Sequence, residues 1–310
     1  MKPIILDVDT GIDDMLAIAY ATHSPEVKLI GLTTLFGNVT VEETTRNSLF
    51  VLELLGREEI PVYAGAAKPL SRNKDSYARH VHGDDGLGGA LQDALPKGQA
   101  SSLSAAEFMV EQARSMPGQL TIIAVGPMTN LAKAVRLDPD FVRLVGQVVI
   151  MGGAVTVPGN VTPHAEANVH SDPEAAELVF GSGLPIKLVG LDVTMKTLLP
   201  RTSMQEWRDK GTVMSNFLAD ATDFYMNAYE TFSPGIGGCA LHDPLAVGVV
   251  VDPTFCRTES MPVKVDTTGK STIGQTYADR NAYVDGRPNI EVCFEVDADR
   301  FLAHFMSRVV

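Results

Sequence analysis

Apolar and polar positions alternate between short apolar runs and amphipathic stretches along most of the chain. Residues 3–8 (PIILDV) form an apolar run of the kind seen in strands buried on both faces. Residues 13–23 follow with apolar positions at helical spacing and acids in the first turn, where the helix dipole favours negative charge. Residues 27–36 read as a second strand, 41–55 as a second helix and 61–64 as a short third strand. The order continues with strands at 120–125, 147–151 and 186–191 and helices at 128–137 and 172–180. Strands separated by helices of this length predict βαβ units and an open parallel sheet.

The last third reads differently. Residues 204–231 carry one long helical pattern and 243–251 a shorter apolar one. Strands are expected at 263–266, 272–277 and 290–296, paired antiparallel, before a closing helix at 299–309. No Pro/Ser/Gly-rich linker and no repeat interrupts the chain, so residues 1–310 are expected to form a single domain. The fold class expected is α/β: an open, mostly parallel sheet flanked by helices (a Rossmann-like core) with a small additional C-terminal strand region. Two Gly-containing loops stand out. One spans 68–89 and holds His80, His82, Asp84 and Asp85; the other spans 233–238, just before His242. Ligands of open α/β sheets lie beyond the carboxyl ends of the strands, where such loops gather.

Charge narrows the function classes. Lys and Arg number 25 against 38 Asp and Glu, a net charge of −13. That balance disfavours a nucleic-acid partner, which needs a basic stripe, and permits a cation site built of carboxylates. The three cysteines, Cys239, Cys256 and Cys293, are odd in number and share no CxxC spacing, so reduced thiols are expected rather than a disulfide framework or zinc cluster. No secretory signal pattern opens the chain, and apolar stretches such as 245–251 are too short to span a bilayer. A cytoplasmic protein without a membrane partner is expected.

The acidic excess has a focus. Asp7, Asp9, Asp13 and Asp14 fall at a strand–helix junction, with Gly11 allowing a sharp turn between the pairs. Asp7 and Asp9, two apart, point to one face. Carboxylates converging at a strand end raise one another's pKa unless a cation compensates them, and a hard divalent ion with oxygen ligands is the economical answer. The plainer reading, acids capping a helix, applies to Asp13 taken alone.

Asp7-Val8-Asp9-Thr10 by itself matches the DxDxT start of haloacid-dehalogenase-type phosphatases, in which the first Asp is the nucleophile. The longer string 6–14 (LDVDTGIDD) resembles the N-terminal signature of the calcium-dependent nucleoside hydrolases. Further blocks resemble the same family in the same order. They are 33–38 (TTLFGN), 82–88 (HGDDGLG), 126–131 (GPMTNL), 151–153 (MGG), Asn160, 166–168 (EAN), 172–176 (DPEAA) and 242–244 (HDP). Together they reach from residue 6 to residue 244.

The resemblance implies hydrolysis of ribonucleosides to free base and ribose in purine and pyrimidine salvage. It implies Ca2+ held by Asp9, Asp14, Asp243 and the Val125 carbonyl, with Asp13, Asn38, Asn160, Glu166 and Asn168 around the ribose. Relatives in the family are dimers or tetramers, so a homodimer or homotetramer is expected. Many relatives carry Phe where Ala167 stands, which removes an aromatic wall and leaves the base preference open. Asp9 is the expected base for the attacking water, and His242, next to Asp243, the expected proton donor to the leaving base. His82, Tyr225 and Tyr229 are expected near the base. Plainer roles stand beside these: capping or packing for His242, loop hydrogen bonding for His82, and helix packing for the two tyrosines, which lie four apart. A nucleoside-binding protein without turnover is the non-enzymatic alternative; retention of both Asp9 and His242 speaks against it.

Overall fold

The computed structural model describes residues 1–310 except 75, 93, 279–287 and 289; residue 75 lies in the 68–89 loop. Strand β1 (Lys2–Val8) leads into α1 (Ile12–Thr22), β2 (Val27–Thr34) into α2 (Val41–Leu54), and β3 (Val62–Ala64) into the short α3 (Arg79–His82) and then α4 (Ala105–Ser115). After β4 (Thr121–Ala124) come α5 (Thr129–Leu137) and α6 (Phe141–Leu144), and after β5 (Gln147–Met151) come α7 (Ala167–Ser171) and α8 (Pro173–Phe180). Next are β6 (Ile186–Val189), α9 (Leu191–Thr194), β7 (Leu198–Pro200), α10 (Ser203–Asp209), α11 (Val213–Phe232), β8 (Gly238–Ala240) and α12 (His242–Val251). Then follow β9 (Cys256–Met261), β10 (Val263–Val265), β11 (Thr276–Ala278), β12 (Ile290–Val296) and α13 (Ala298–Met306).

Eight strands form the central sheet in the order β3-β2-β1-β4-β5-β6-β12-β9, all parallel to their neighbours except β9, which runs antiparallel to β12. The parallel strands are apolar on both faces because both are covered. Ile4, Leu6 and Val8 enter one core with α1, α11, α12 and α13, while Ile5, Ile122 and Ile150 enter the other with α4, α5 and α8. The order 3-2-1-4-5-6 reverses between β1 and β4, so the chain departs to opposite sides there and opens a crevice beyond the strand ends. Asp9 lies just past the end of β1, and Val125 just past the end of β4.

Three departures from the sequence expectation have physical causes. The single helix expected at 204–231 is two, α10 and α11, because Gly211 turns the chain at φ +68 and Thr212 opens a new capping box with Ser215. The C-terminal strands do not stay together: β12 and β9 extend the main sheet, and β10 and β11 pair separately. Helix α4 and strand β9 carry weaker patterns; α4 is announced mainly by the Ser104–Glu107 capping box.

Candidate active site

The four N-terminal aspartates do not share one environment. Asp7 is fully buried within β1, opposite Thr33 and Ala124, and its Oδ1 accepts from Thr33 Oγ1 (2.6 Å) and Asn130 Nδ2 (2.8 Å). It serves the strand junction beneath the crevice, not its surface. Asp9 reaches the crevice floor, with Oδ2 accepting from the Asn38 backbone N–H at 2.8 Å. A Cβ on Gly37 would overlap that carboxylate and one on Gly126 would press on it, so the loops after β2 and β4 close on Asp9 only because both positions lack side chains.

Asp14 turns back to cap its own helix, accepting from Asp9 N (3.0 Å), Gly11 N (2.9 Å) and Asn38 Nδ2 (3.1 Å). Oxygens of Asp13, Asp14 and Asp243 lie within 4.8 Å of one another, although Asp243 comes from the start of α12, far along the chain. Glu166 caps α7, accepting from Gly153 N (2.9 Å), Asn168 N (2.8 Å) and Val169 N (3.1 Å), and lies close enough to Asp243 to raise its pKa. Asn168 Nδ2 donates to the Val125 carbonyl at 2.7 Å, leaving that oxygen a second lone pair. Asn160 is exposed and accepts from Ala167 N at 3.0 Å.

The trio whose oxygens converge therefore contains Asp13 in place of Asp9, which sits beside it. Asp13 Oδ1 is buried without a hydrogen-bond partner, and such an orphan costs free energy unless a cation meets it. Burial pushes Asp9 and Asp13 up to about 7, aided by the charges of Asp13 on Asp9 and Asp14 on Asp13. Burial and neighbouring carboxylates push Asp14 and Asp243 well above the ordinary range. This is a donor set of hard oxygens whose ionisation needs a counter-charge, and it fits a divalent cation.

Stability carries a signature of this. A carboxyl whose folded pKa exceeds its unfolded value binds more protons when folded. Its contribution is present at low pH and lost as pH rises from the usual carboxylate range to the folded value, about 7 for Asp7, Asp9 and Asp13, with Asp14 and Asp243 shifted in the same direction. Burial holds His82 near 3 and His242 near 4, so their contribution has the opposite sign, complete above the usual histidine value and lost as pH falls. Between those limits five raised carboxylates, Asp7, Asp9, Asp13, Asp14 and Asp243, outnumber these two histidines and set the sign of the slope. Chelator-treated protein is expected to lose Tm as pH rises from about 5 to about 7, each proton of difference being worth about 1.4 kcal/mol per pH unit. Excess divalent cation is expected to cancel the part of the loss that comes from the cluster, Asp7 lying outside it. A Tm that holds across this window in chelator contradicts the cluster.

Aromatic and imidazole groups form the opposite wall. His82 Nδ1 accepts from the Ile12 backbone N–H at 3.0 Å, so the neutral ring carries its hydrogen on Nε2. Gly11 permits this approach, since a Cβ there would collide with His82 and Asn38. Tyr225 donates to Asp13 Oδ2 at 3.3 Å and lies edge-on to Tyr229 at 5.0 Å between centroids. Tyr229 Oη and His242 Nε2 share a 2.6 Å hydrogen bond, and His242 Nδ1 meets Thr194 Oγ1 at 2.7 Å. Thr194 and the Tyr229–His242 contact escape a reading of the sequence, because α9, α11 and α12 meet only in the fold. The one available hint for Thr194 is its place just beyond a parallel strand, β6.

Comparisons with known proteins cover nearly the whole chain. The family model described as "Inosine-uridine preferring nucleoside hydrolase" matches residues 4–303. The chain is 41% identical to "Probable uridine nucleosidase 2" of Arabidopsis thaliana, covering 100% of this chain and 98% of that protein. It is 39% identical to "Pyrimidine-specific ribonucleoside hydrolase RihA" of Citrobacter koseri, covering 99% and 97%. The solved structure "Purine-Preferring Ribonucleoside Hydrolase from Gardnerella vaginalis" superposes with a TM-score of 0.94 at 42% identity, covering 99% of this chain and 98% of that one.

Proposed function

The chain belongs to the inosine-uridine preferring nucleoside hydrolase family and hydrolyses the N-glycosidic bond of ribonucleosides, and from that premise we propose how its residues divide the work. Residues 1–310 act as one catalytic domain. The observation that carries the reading is the buried carboxylate group at the β1–β4 crevice, with an orphaned oxygen on Asp13 and Asp9 held between two glycines.

Asp9, Asp14, Asp243 and the Val125 carbonyl would hold Ca2+, with Asp13 close by. Bound there, the ion would position and acidify the attacking water and engage the ribose 2′- and 3′-hydroxyls. Asp9 takes the proton of that water as its oxygen bonds to C1′. Asn38 and Asn168 present amide groups at the crevice, and Glu166 and Asn160 order the loop beside it. The C1′–N bond breaks with its electron pair leaving on the base. Carboxylates and amide oxygens face the positive charge that develops on the sugar. Direct attack by water inverts the configuration at C1′.

The base leaves with a proton. Because burial holds His242 neutral, that proton is not stored as imidazolium; it is drawn through the Tyr229–His242 hydrogen bond, with Thr194 fixing the imidazole from behind. His82 and Tyr225 complete the wall on the base side. No helix among the described residues is long and apolar enough to cross a membrane; a cytoplasmic place in nucleoside salvage follows from the family resemblance alone. The family resemblance extends this reading to a homodimer or homotetramer.

Incubation with inosine, uridine, cytidine and adenosine, followed by assay of reducing sugar, tests the reading. Ribose and free base are expected in equal amounts from at least one of them, with loss of turnover in chelator and recovery on adding Ca2+. Release from none overturns it.

A further inference from the structure

Away from the crevice, strands β9 and β12 carry two of the three cysteines. The strands pair antiparallel with Cys256 opposite Val296 and Cys293 opposite Thr258, and the register slips between Cys293 and Glu295. Cys256 and Thr258 alternate onto the same face of β9, so Cys293 shares that face with Cys256. Both side chains enter one apolar cluster, Cys293 buried within it and Cys256 packed at its edge and partly exposed. There the two thiols are diagonal neighbours across the strand pair, near enough to shift each other's pKa in opposite directions. Lys187 and Lys196 place positive charge near Cys256; the Lys196 ammonium is fixed by its hydrogen bond to the Phe294 carbonyl at 3.0 Å. Among the described residues, strand β9 is the last of the sheet.

We propose that Cys256 and Cys293 form a redox-modification site, at which a hydroperoxide oxidises Cys256 and Cys293 resolves the product to an intramolecular disulfide. The Cys256 thiolate attacks one peroxide oxygen. The S–O bond forms, the O–O bond breaks, and the departing oxyanion takes a proton from water, so sulfur is oxidised to sulfenic acid as the peroxide is reduced. The Cys293 sulfur then attacks the sulfenic sulfur. The S–S bond forms, the S–O bond breaks, and hydroxide leaves with the Cys293 proton as water.

The environments suit the two roles. The neighbouring Cys293 thiol and the nearby lysines hold Cys256 below the usual thiol range against the opposing effect of burial, favouring the nucleophilic thiolate. The neighbouring Cys256 sulfur, with burial, holds Cys293 above that range, so it keeps its proton until the second step. Cys239, fully buried on β8, stays outside the pair.

Hydrogen peroxide applied to the native full-length protein, followed by alkylation under denaturing conditions and peptide mass mapping, tests the site. The expected result is a fall from three free thiols to one, a cross-linked peptide joining residues 256 and 293, and recovery of all three thiols in dithiothreitol. Cys293→Ser is expected to leave a sulfenic acid on Cys256 that dimedone captures, and Cys256→Ser to give no cross-link. Nucleoside hydrolysis by both variants, expected unchanged because neither cysteine touches the crevice, establishes that they fold. Three thiols persisting through the treatment, a cross-link involving Cys239, or direct passage of Cys256 to sulfinic acid in the native protein would each overturn the proposal. The peptide map of the unsubstituted protein decides it even where a variant misfolds.

Discussion

Asp9→Ala is expected to lower kcat for ribose release by about 10³- to 10⁴-fold or more while the protein stays folded. In the proposed mechanism Asp9 combines two roles, cation ligand and base for the attacking water, and of the neighbouring acids Asp13 keeps one oxygen unpartnered. Asp14 spends its oxygens on Asp9 N, Gly11 N and Asn38 Nδ2, and Asp13 Oδ2 accepts from Tyr225. The fold should tolerate the change, because the lost side chain is a buried acid whose pKa burial has raised to about 7 and whose ionisation costs stability. Asp9→Asn sharpens the test: it keeps an acceptor for the Asn38 N–H and removes the basicity, so it should be nearly as inactive as Asp9→Ala. Asp7→Asn is the control. Asp7 faces Thr33 and Asn130 below the crevice, so its replacement should cost kcat orders of magnitude less. The measurement is kcat at saturating uridine or inosine beside Tm in chelator. Turnover above a tenth of the parent rate in Asp9→Ala removes the base assignment.

Those carboxylates were legible in the sequence because their type and spacing announce chemistry that a core would not tolerate. Acids gathered at the end of an apolar strand call for a counter-charge, although Asp7 bonds Thr33 and Asn130 beneath the crevice, and the late Asp243 could be joined to the others by resemblance. The parallel sheet was equally legible, since β1, β2, β4, β5 and β6 are apolar runs set between amphipathic helices. What stayed hidden depends on approach rather than on pattern. Gly37 and Gly126 matter because Asp9 lies against them, and nothing local to either glycine says so. Gly211 was misread because the residues on both sides of it favour helix, and only its left-handed conformation separates α10 from α11. Strand β9, with an edge position and polar residues at Arg257, Thr258, Glu259 and Ser260, lacks the apolar density that marks a central strand. Asp13 shows the limit most plainly. Its first-turn position suits an ordinary helix acid, whereas the fold places it among Asp14, Asp243 and Tyr225 with one oxygen unpartnered.

The second large effect falls on the leaving group. His242→Ala is expected to reduce kcat with inosine or uridine by about 10²- to 10⁴-fold, the range general acid catalysis supplies. A riboside that releases nitrophenolate should be almost unaffected, because that anion departs without a proton. Tyr229→Phe is expected to reproduce this selectivity, since among the described residues the phenol is the group that hydrogen-bonds His242 Nε2. The phenol cannot act by ionising, because burial pushes Tyr229 well above its usual range. It can pass a proton on only as it receives one, which makes the tyrosine and the histidine a single device. The two substitutions should therefore be strongly non-additive, with the double variant no slower than the worse single one. Thr194→Val, which removes the hydroxyl at His242 Nδ1 and keeps the shape, should produce a smaller loss of the same kind. Equal losses on the nucleoside and the nitrophenyl riboside would mean that His242 shapes the pocket rather than protonating the base. Additive losses would mean that Tyr229 and His242 act separately, with the tyrosine packing against Tyr225 and the imidazole working alone.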